Sequence, residues 1–134
     1  MDPVLSESVE PVLRDLARTQ VDAPRFDDHD WIGDREYVSC MMWSADGSGS
    51  GLSVRRAASR EERVAHAADQ VQEWAIENRL WTSAPTNWPP CPIHPASHPL
   101  RASVAASNAA WVCPIDHSVV ALIGEIREDL FGIG

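Results

Sequence analysis

The chain of 134 residues contains no lysine; all eleven of its basic residues are arginine. That absence excludes a lysine Schiff base, a catalytic lysine and the lysine-bearing phosphate loop. Positive charge is scarce as well, with 20 Asp and Glu against 11 Arg and a formal net charge of −9. Nucleic-acid affinity rests on cations that neutralise phosphates, so this balance argues against a nucleic-acid surface and equally against a site for anionic membranes. No run approaches the roughly 18 apolar residues that span a bilayer. The first residues, MDPVLSESVEP, carry acids where a secretory signal has bases, and no apolar stretch follows, which points to a cytoplasmic protein. Three cysteines, Cys40, Cys91 and Cys113, are too few for a disulfide scaffold and odd in number. In a reducing compartment, cysteine beside histidine is more naturally a metal ligand than half of a disulfide.

What is present fits a folded domain. Hydrophobic residues make up 44% of the chain and charged residues 23%, ordinary values for a globular protein. Val9, Val12, Leu13, Leu16 and Ala17 recur at helical spacing and predict a helix over residues 8–20, with Ser8 as N-cap and Pro11 in the first turn. Residues 22–36, rich in Asp, Pro and Gly, read as a loop. Residues 36–43 favour a strand, 45–51 a flexible Gly/Ser turn, and 52–57 the return strand of a hairpin.

Residues 59–81 carry the strongest helical signal. Ser59 followed by Glu62 is a capping box, and Val64, Ala67, Ala68, Val71, Trp74, Ala75, Asn78 and Trp81 share one face that is apolar except at Asn78. Four prolines then break regular structure within residues 82–92, the best place for a boundary between a body (1–81) and a C-terminal module (82–134) packed on it. Residues 98–105 and 109–114, joined by a turn at Ser107 and Asn108, predict a second hairpin. Residues 118–134 fit either a helix, through Val119, Leu122, Ile123, Ile126 and Leu130, or a strand through VVALI. The expected class is α+β: an N-terminal helix, a hairpin, a long amphipathic helix and a metal-stapled hairpin module.

The densest chemical signal lies in that module. Cys91 and His94 form a C-x2-H pair, Cys113 and His117 a C-x3-H pair, and a hairpin separates them. Zinc takes four nitrogen or sulfur ligands in a tetrahedron, and two short pairs on tight turns deliver two bonds each. Each cysteine precedes a proline, which stiffens the turn and reduces what must be ordered on binding. His98 is a fifth candidate, so the spacing leaves the fourth ligand open between His98 and His117. The competing reading makes both cysteines small buried hydrophobes and the histidines loop residues.

CPIH and CPIDH resemble the knuckles of zinc-ribbon proteins, in which Cys-Pro turns at hairpin ends grip one metal. The longer string, Trp88-x2-Cys91-Pro92-x-His94, then His98-Pro99-Leu100, then Trp111-Val112-Cys113-Pro114, resembles small proteins of high-GC bacteria in which the HPL histidine recurs. That resemblance covers about 40 residues and implies Cys91, His94, His98 and Cys113 as the ligand set. The chain departs from the commonest ribbon in having histidine second in each knuckle.

The expected cofactor is therefore zinc in a structural role, in a module whose partner is another protein or a second copy of the chain. The alternatives are a hydrolase with an open zinc position, or an accessory subunit of a larger complex. The zinc deaminase and H-E-x-x-H patterns are absent. Asp116 is a candidate general base, but aspartate commonly serves such a position as a turn residue or cap. In residues 82–134 acids outnumber arginines four to two, against a nucleic-acid role for this module in particular. Trp88 and Trp111 read as hydrophobic cover, Cys40 as a core residue of a strand, and His66 as a surface residue. Asp27, Asp28 and Asp30 form a solvated acidic loop, and Arg55, Arg56, Arg60 and Arg63 complement the protein's own acids.

Overall fold

The computed structural model describes residues 1–80 and 87–128. Two helices and six strands follow in the order α1 (Pro3–Arg18), β1 (Arg25–Asp27), β2 (Tyr37–Trp43), β3 (Gly49–Arg55), α2 (Arg60–Arg79), β4 (Arg101–Ala105), β5 (Asn108–Val112) and β6 (Val119–Leu122). The strands form two antiparallel sheets, β1-β2-β3 and β4-β5-β6. The class is α+β, as expected.

The first helix begins earlier than its apolar periodicity suggests. Asp2 is the cap, accepting from the Val4 N–H at 2.8 Å, with Pro3 at the first helical position. Ser8 is therefore buried inside the helix, where its hydroxyl donates to the Val4 carbonyl and accepts from Arg63. Pro11 also lies in the interior rather than in the first turn. Leu5, Val9, Val12 and Leu16 form the buried stripe.

In the second helix, Ser59 caps as its sequence predicts and accepts from the Glu62 N–H. Small residues, Ala65, Ala67, Ala68 and Ala75, bring α2 close to its neighbours, and it packs against α1, β3, β4 and β5. Trp81, the last residue of the expected helix, lies outside the described residues, as do residues 82–86 and 129–134.

The first sheet differs from expectation at both ends. Arg25–Asp27 pairs with Met41–Trp43, so a segment read as loop supplies an edge strand. Gly49 and Gly51 belong to β3 rather than to the turn. Their missing side chains leave room for two indoles: a Cβ would stand 2.5 Å from the Trp43 ring at Gly49 and 2.5 Å from the Trp31 ring at Gly51. Val38, Cys40 and Met42 alternate inward. The free edge of β3 is closed by Gln70 of α2, whose amide accepts from the Ser53 N–H at 2.9 Å and donates to the Ser53 carbonyl at 2.7 Å.

The turn between β4 and β5 falls on Ala106 and Ser107, both with positive φ, one residue before the expected position. The ambiguous tail resolves as a strand over Val119–Leu122, followed by a turn at Gly124 with φ 95°. One continuous core draws on α1, the first sheet, α2 and the second sheet, and Trp88 and Trp111 lie in it fully buried.

Candidate metal centre

The metal-ligand candidates sit where two Cys-Pro turns meet under the second sheet. In the first turn, the His94 N–H bonds to the Cys91 carbonyl at 3.1 Å and the Ser97 N–H to the His94 carbonyl at 3.1 Å. Pro90 and Pro99 pair as an isolated bridge, and the Leu100 N–H reaches the Pro89 carbonyl at 2.8 Å. These contacts close residues 91–98 into a loop and return His98 beside Cys91. In the second turn, the Cys113 N–H bonds to the Ser118 carbonyl and the His117 N–H to the Cys113 carbonyl, each at 2.9 Å.

Together the turns gather Cys91, His94, His98 and Cys113, whose donor atoms all lie within 4.8 Å of one another. His94 Nδ1 is 3.2 Å from His98 Nε2, 3.9 Å from Cys91 Sγ and 3.8 Å from Cys113 Sγ. Tetrahedral zinc–nitrogen and zinc–sulfur bond lengths imply nitrogen–nitrogen and nitrogen–sulfur edges of about 3.3 to 3.6 Å. The cluster is close to that size, and the four side chains could hold a metal ion. Both sulfurs are buried and both imidazoles half-buried.

The proton arrangement of His98 suits a ligand. Its Nδ1 lies 3.0 Å from the Pro99 carbonyl. A carbonyl oxygen only accepts, so Nδ1 carries the hydrogen and the Nε2 lone pair faces the cluster. His117 is not among the four. It occupies the left-handed position of its turn, φ 64°, with its backbone closing the turn and its ring exposed. Asp116 is the turn residue of the blander reading. Its Oδ1 accepts from the Ser118 N–H at 2.9 Å and hydroxyl at 2.6 Å, bonds that hold this exposed carboxyl below its ordinary range.

Sequence reasoning missed the residues that seat the loops. Gln72, buried on α2, donates through Nε2 to the Trp88 and Leu100 carbonyls and so ties both arms of the first loop to the helix. The one available signal was its position four residues after Ala68, inside the apolar face. Asp15 of α1 accepts from Trp111 Nε1 at 2.8 Å, the Gly124 N–H at 2.7 Å and the Ile126 N–H at 3.1 Å. Burial raises its carboxyl above the ordinary range, against those hydrogen bonds and the Arg18 charge. Trp88 and Trp111 pack edge to face at 5.7 Å, and Trp88 donates to Thr19 at 3.0 Å.

The remaining candidates fall as the blander readings have them. Cys40 is fully buried and its thiol is pushed up to about 11, mainly by desolvation. His66 is exposed. Asp28 pairs with the chain's amino group, and Asp30 accepts from the Gly33 N–H and the Ser39 hydroxyl. Arg56, Arg60 and Arg63 pair with Asp2, Glu61 and Glu7.

No family model matches the chain, and no curated protein or solved structure matches it either.

Proposed function

We propose that the protein is a small, non-catalytic zinc-binding module in which one ion, held by Cys91, His94, His98 and Cys113, staples the second sheet to the loop before it. The convergence of these four donors within 4.8 Å carries the reading. The zinc-ribbon resemblance of the two Cys-Pro turns supports it. Two thiolates and two imidazoles match a structural zinc shell. A structural role is favoured over hydrolysis because four protein donors fill a tetrahedron and leave no position for water. The nearest carboxylate, Asp116, is engaged in its own turn.

The ion would supply folding energy to a segment whose connections are loops and short strands, as structural zinc does in small domains. The module so built would serve a protein partner or a second copy of the chain. Metal analysis of protein purified without chelators tests the zinc assignment. About one zinc per chain, with an absorption spectrum fitted by two sulfurs and two nitrogens, is expected. Protein that folds and contains no zinc overturns it.

A further inference from the structure

The Cys/His cluster brings two thiols together from separate turns. Cys91 Sγ and Cys113 Sγ lie within 4.8 Å of each other, and His94 Nδ1 is 3.9 Å from the first and 3.8 Å from the second. Cys40 is outside this group, fully buried in the first sheet. Oxidation at the cluster therefore has one disulfide open to it. That bond is about 2 Å long, so closing it moves the sulfurs by at most about 3 Å, within the swing of two side chains.

A domain held together by its ion alone unfolds when the ion leaves. Here each turn has a second anchor. Gln72 of α2 donates to the Trp88 and Leu100 carbonyls on both arms of the first loop, and the Leu100 N–H reaches the Pro89 carbonyl at 2.8 Å. Asp15 of α1 holds Trp111, Gly124 and Ile126 on either side of the second turn. Trp88 and Trp111, each close in sequence to one of the two cysteines, pack edge to face at 5.7 Å in the core. None of these contacts uses a side chain of the cluster. The two sulfurs thus stay in reach of each other when no metal joins them.

Resting on the zinc reading above, we propose that the cluster is a reversible peroxide-sensitive switch, in which Cys91 and Cys113 exchange the ion for a disulfide with each other. The chemistry balances with hydrogen peroxide as the oxidant. One thiolate attacks a peroxide oxygen, the O–O bond breaks, and the departing hydroxide takes a proton from solvent, leaving a sulfenic acid. The second thiolate attacks that sulfur. The S–S bond forms, the S–O bond breaks, and a second hydroxide departs and is protonated to water. The two sulfurs lose two electrons and the peroxide gains them. Thiolates are the metal-ligating form of cysteine, so the disulfide leaves His94 and His98 alone, half of a tetrahedral shell, and the ion is released. Cys91 and Cys113 are fully buried and both imidazoles half-buried, so a reagent must be small to reach the sulfurs, as peroxide is. The new bond spans the β4–β5 hairpin and staples the same two turns as the ion.

The test treats the zinc-loaded full chain with a small excess of hydrogen peroxide and follows the ion with a metallochromic dye. Release of about one zinc per chain is expected, together with a Cys91–Cys113 disulfide in a peptide map made without reductant. The oxidised protein should keep a cooperative thermal transition, about 5 °C or more above that of the reduced, metal-free chain. Dithiothreitol with added zinc should restore the bound ion. Cys40→Ala should respond as wild type does, and the wild-type map locates the bond even where that core substitution does not fold. Protein that never carries zinc defeats the zinc reading, and the switch with it. Zinc that stays bound under peroxide overturns the switch alone. So does release without the Cys91–Cys113 bond, an oxidised chain without a cooperative transition, or a loss that dithiothreitol and zinc do not reverse.

Discussion

Trp111 and Asp15, 96 positions apart, are joined by a 2.8 Å hydrogen bond from the indole N–H to a buried carboxylate. The same carboxylate receives the Gly124 and Ile126 N–H groups, while Arg18, one turn further along α1, donates to the carbonyls of those two residues. One side chain thus fixes the central strand of the second sheet, and the segment that follows it, to the first helix. Because Trp111 lies two residues before Cys113 of the Cys/His cluster, this clasp also sets where the second Cys-Pro turn is held.

Asp15→Ala should destabilise the protein by about 2 to 4 kcal/mol, since three buried N–H donors lose their acceptor together. Trp111→Phe keeps an aromatic ring but removes one donor and part of the indole's bulk; Gly124 and Ile126 keep their partner, so its cost should be the smaller of the two. Urea unfolding of the metal-loaded variants reads both numbers. Equal losses would mean that indole packing, rather than the carboxylate, carries the clasp.

The clasp also has a definite pH signature. Burial raises the folded Asp15 carboxyl above the value of about 3.9 that it has in the unfolded chain. Between those two values the folded state holds more protons. This contribution is therefore fully present below the unfolded value and is lost as pH rises through the folded one. Asp30, Asp46 and Asp116 are shifted down, with the opposite sign, and are common to wild type and variant. The stability advantage of wild type over Asp15→Asn should then be greatest in acid and shrink toward neutral pH. An advantage that grows with pH would show that hydrogen bonding to the charged form outweighs desolvation.

Some of this architecture is legible in the sequence, and physical locality decides which parts. The Ser59 cap, the apolar face of α2 and the place of Cys40 in the core of a strand depend on neighbours within a few residues, and each falls where it is expected. The Cys91, His94 and Cys113 candidates were visible for the same reason. Spacing could not choose between His98 and His117, because the choice depends on the Pro90–Pro99 pairing and on a left-handed turn at His117. The start of α1 was misjudged because Asp2 and Pro3 precede the clearest part of the apolar stripe. Gly49 and Gly51 looked like a flexible turn because the indoles that need their space come from elsewhere in the chain. Asp15 gave no signal at all, since its partners lie about a hundred residues away.

The three thiols should separate cleanly by reactivity. Cys40 is fully buried with its thiol pushed up to about 11, so almost no reactive thiolate exists at neutral pH. Iodoacetamide on the native, zinc-loaded protein should label none of the three. After a chelator, Cys91 and Cys113 should react while Cys40 stays protected until denaturant is added. Mass spectrometry of the peptides gives the order, and early labelling of Cys40 would contradict its placement in the core.

Rigidity of the closing turn should matter at Gly124. Its φ of 95° is a conformation that L side chains rarely adopt, and an added Cβ would come within 2.9 Å of the Pro11 Cβ and 2.7 Å of the Arg14 guanidinium. Arg14 can swing aside, but Pro11 is buried within α1 and cannot. Gly124→Ala should cost about 1 to 3 kcal/mol in thermal or urea unfolding. Gly47 has a similar φ, 89°, but open space around it, so Gly47→Ala isolates the backbone part of that cost and should be the milder change.

The sharpest discrimination concerns the histidines. If His98 completes the site, removing its imidazole removes one of four bonds to the ion, whereas His117→Ala removes only an exposed ring. Even groups that merely orient a metal ligand are worth about 10- to 100-fold in affinity, so loss of a ligand itself should exceed that range. His98→Ala should therefore weaken zinc binding more than about a hundredfold in a chelator competition and lower the thermal midpoint of the loaded protein. His117→Ala should match wild type in both measurements. The Cys113→Ala variant sets the scale for losing a ligand. Reversed behaviour of the two histidine variants would place the fourth ligand on the second turn and require that turn to give up its left-handed residue.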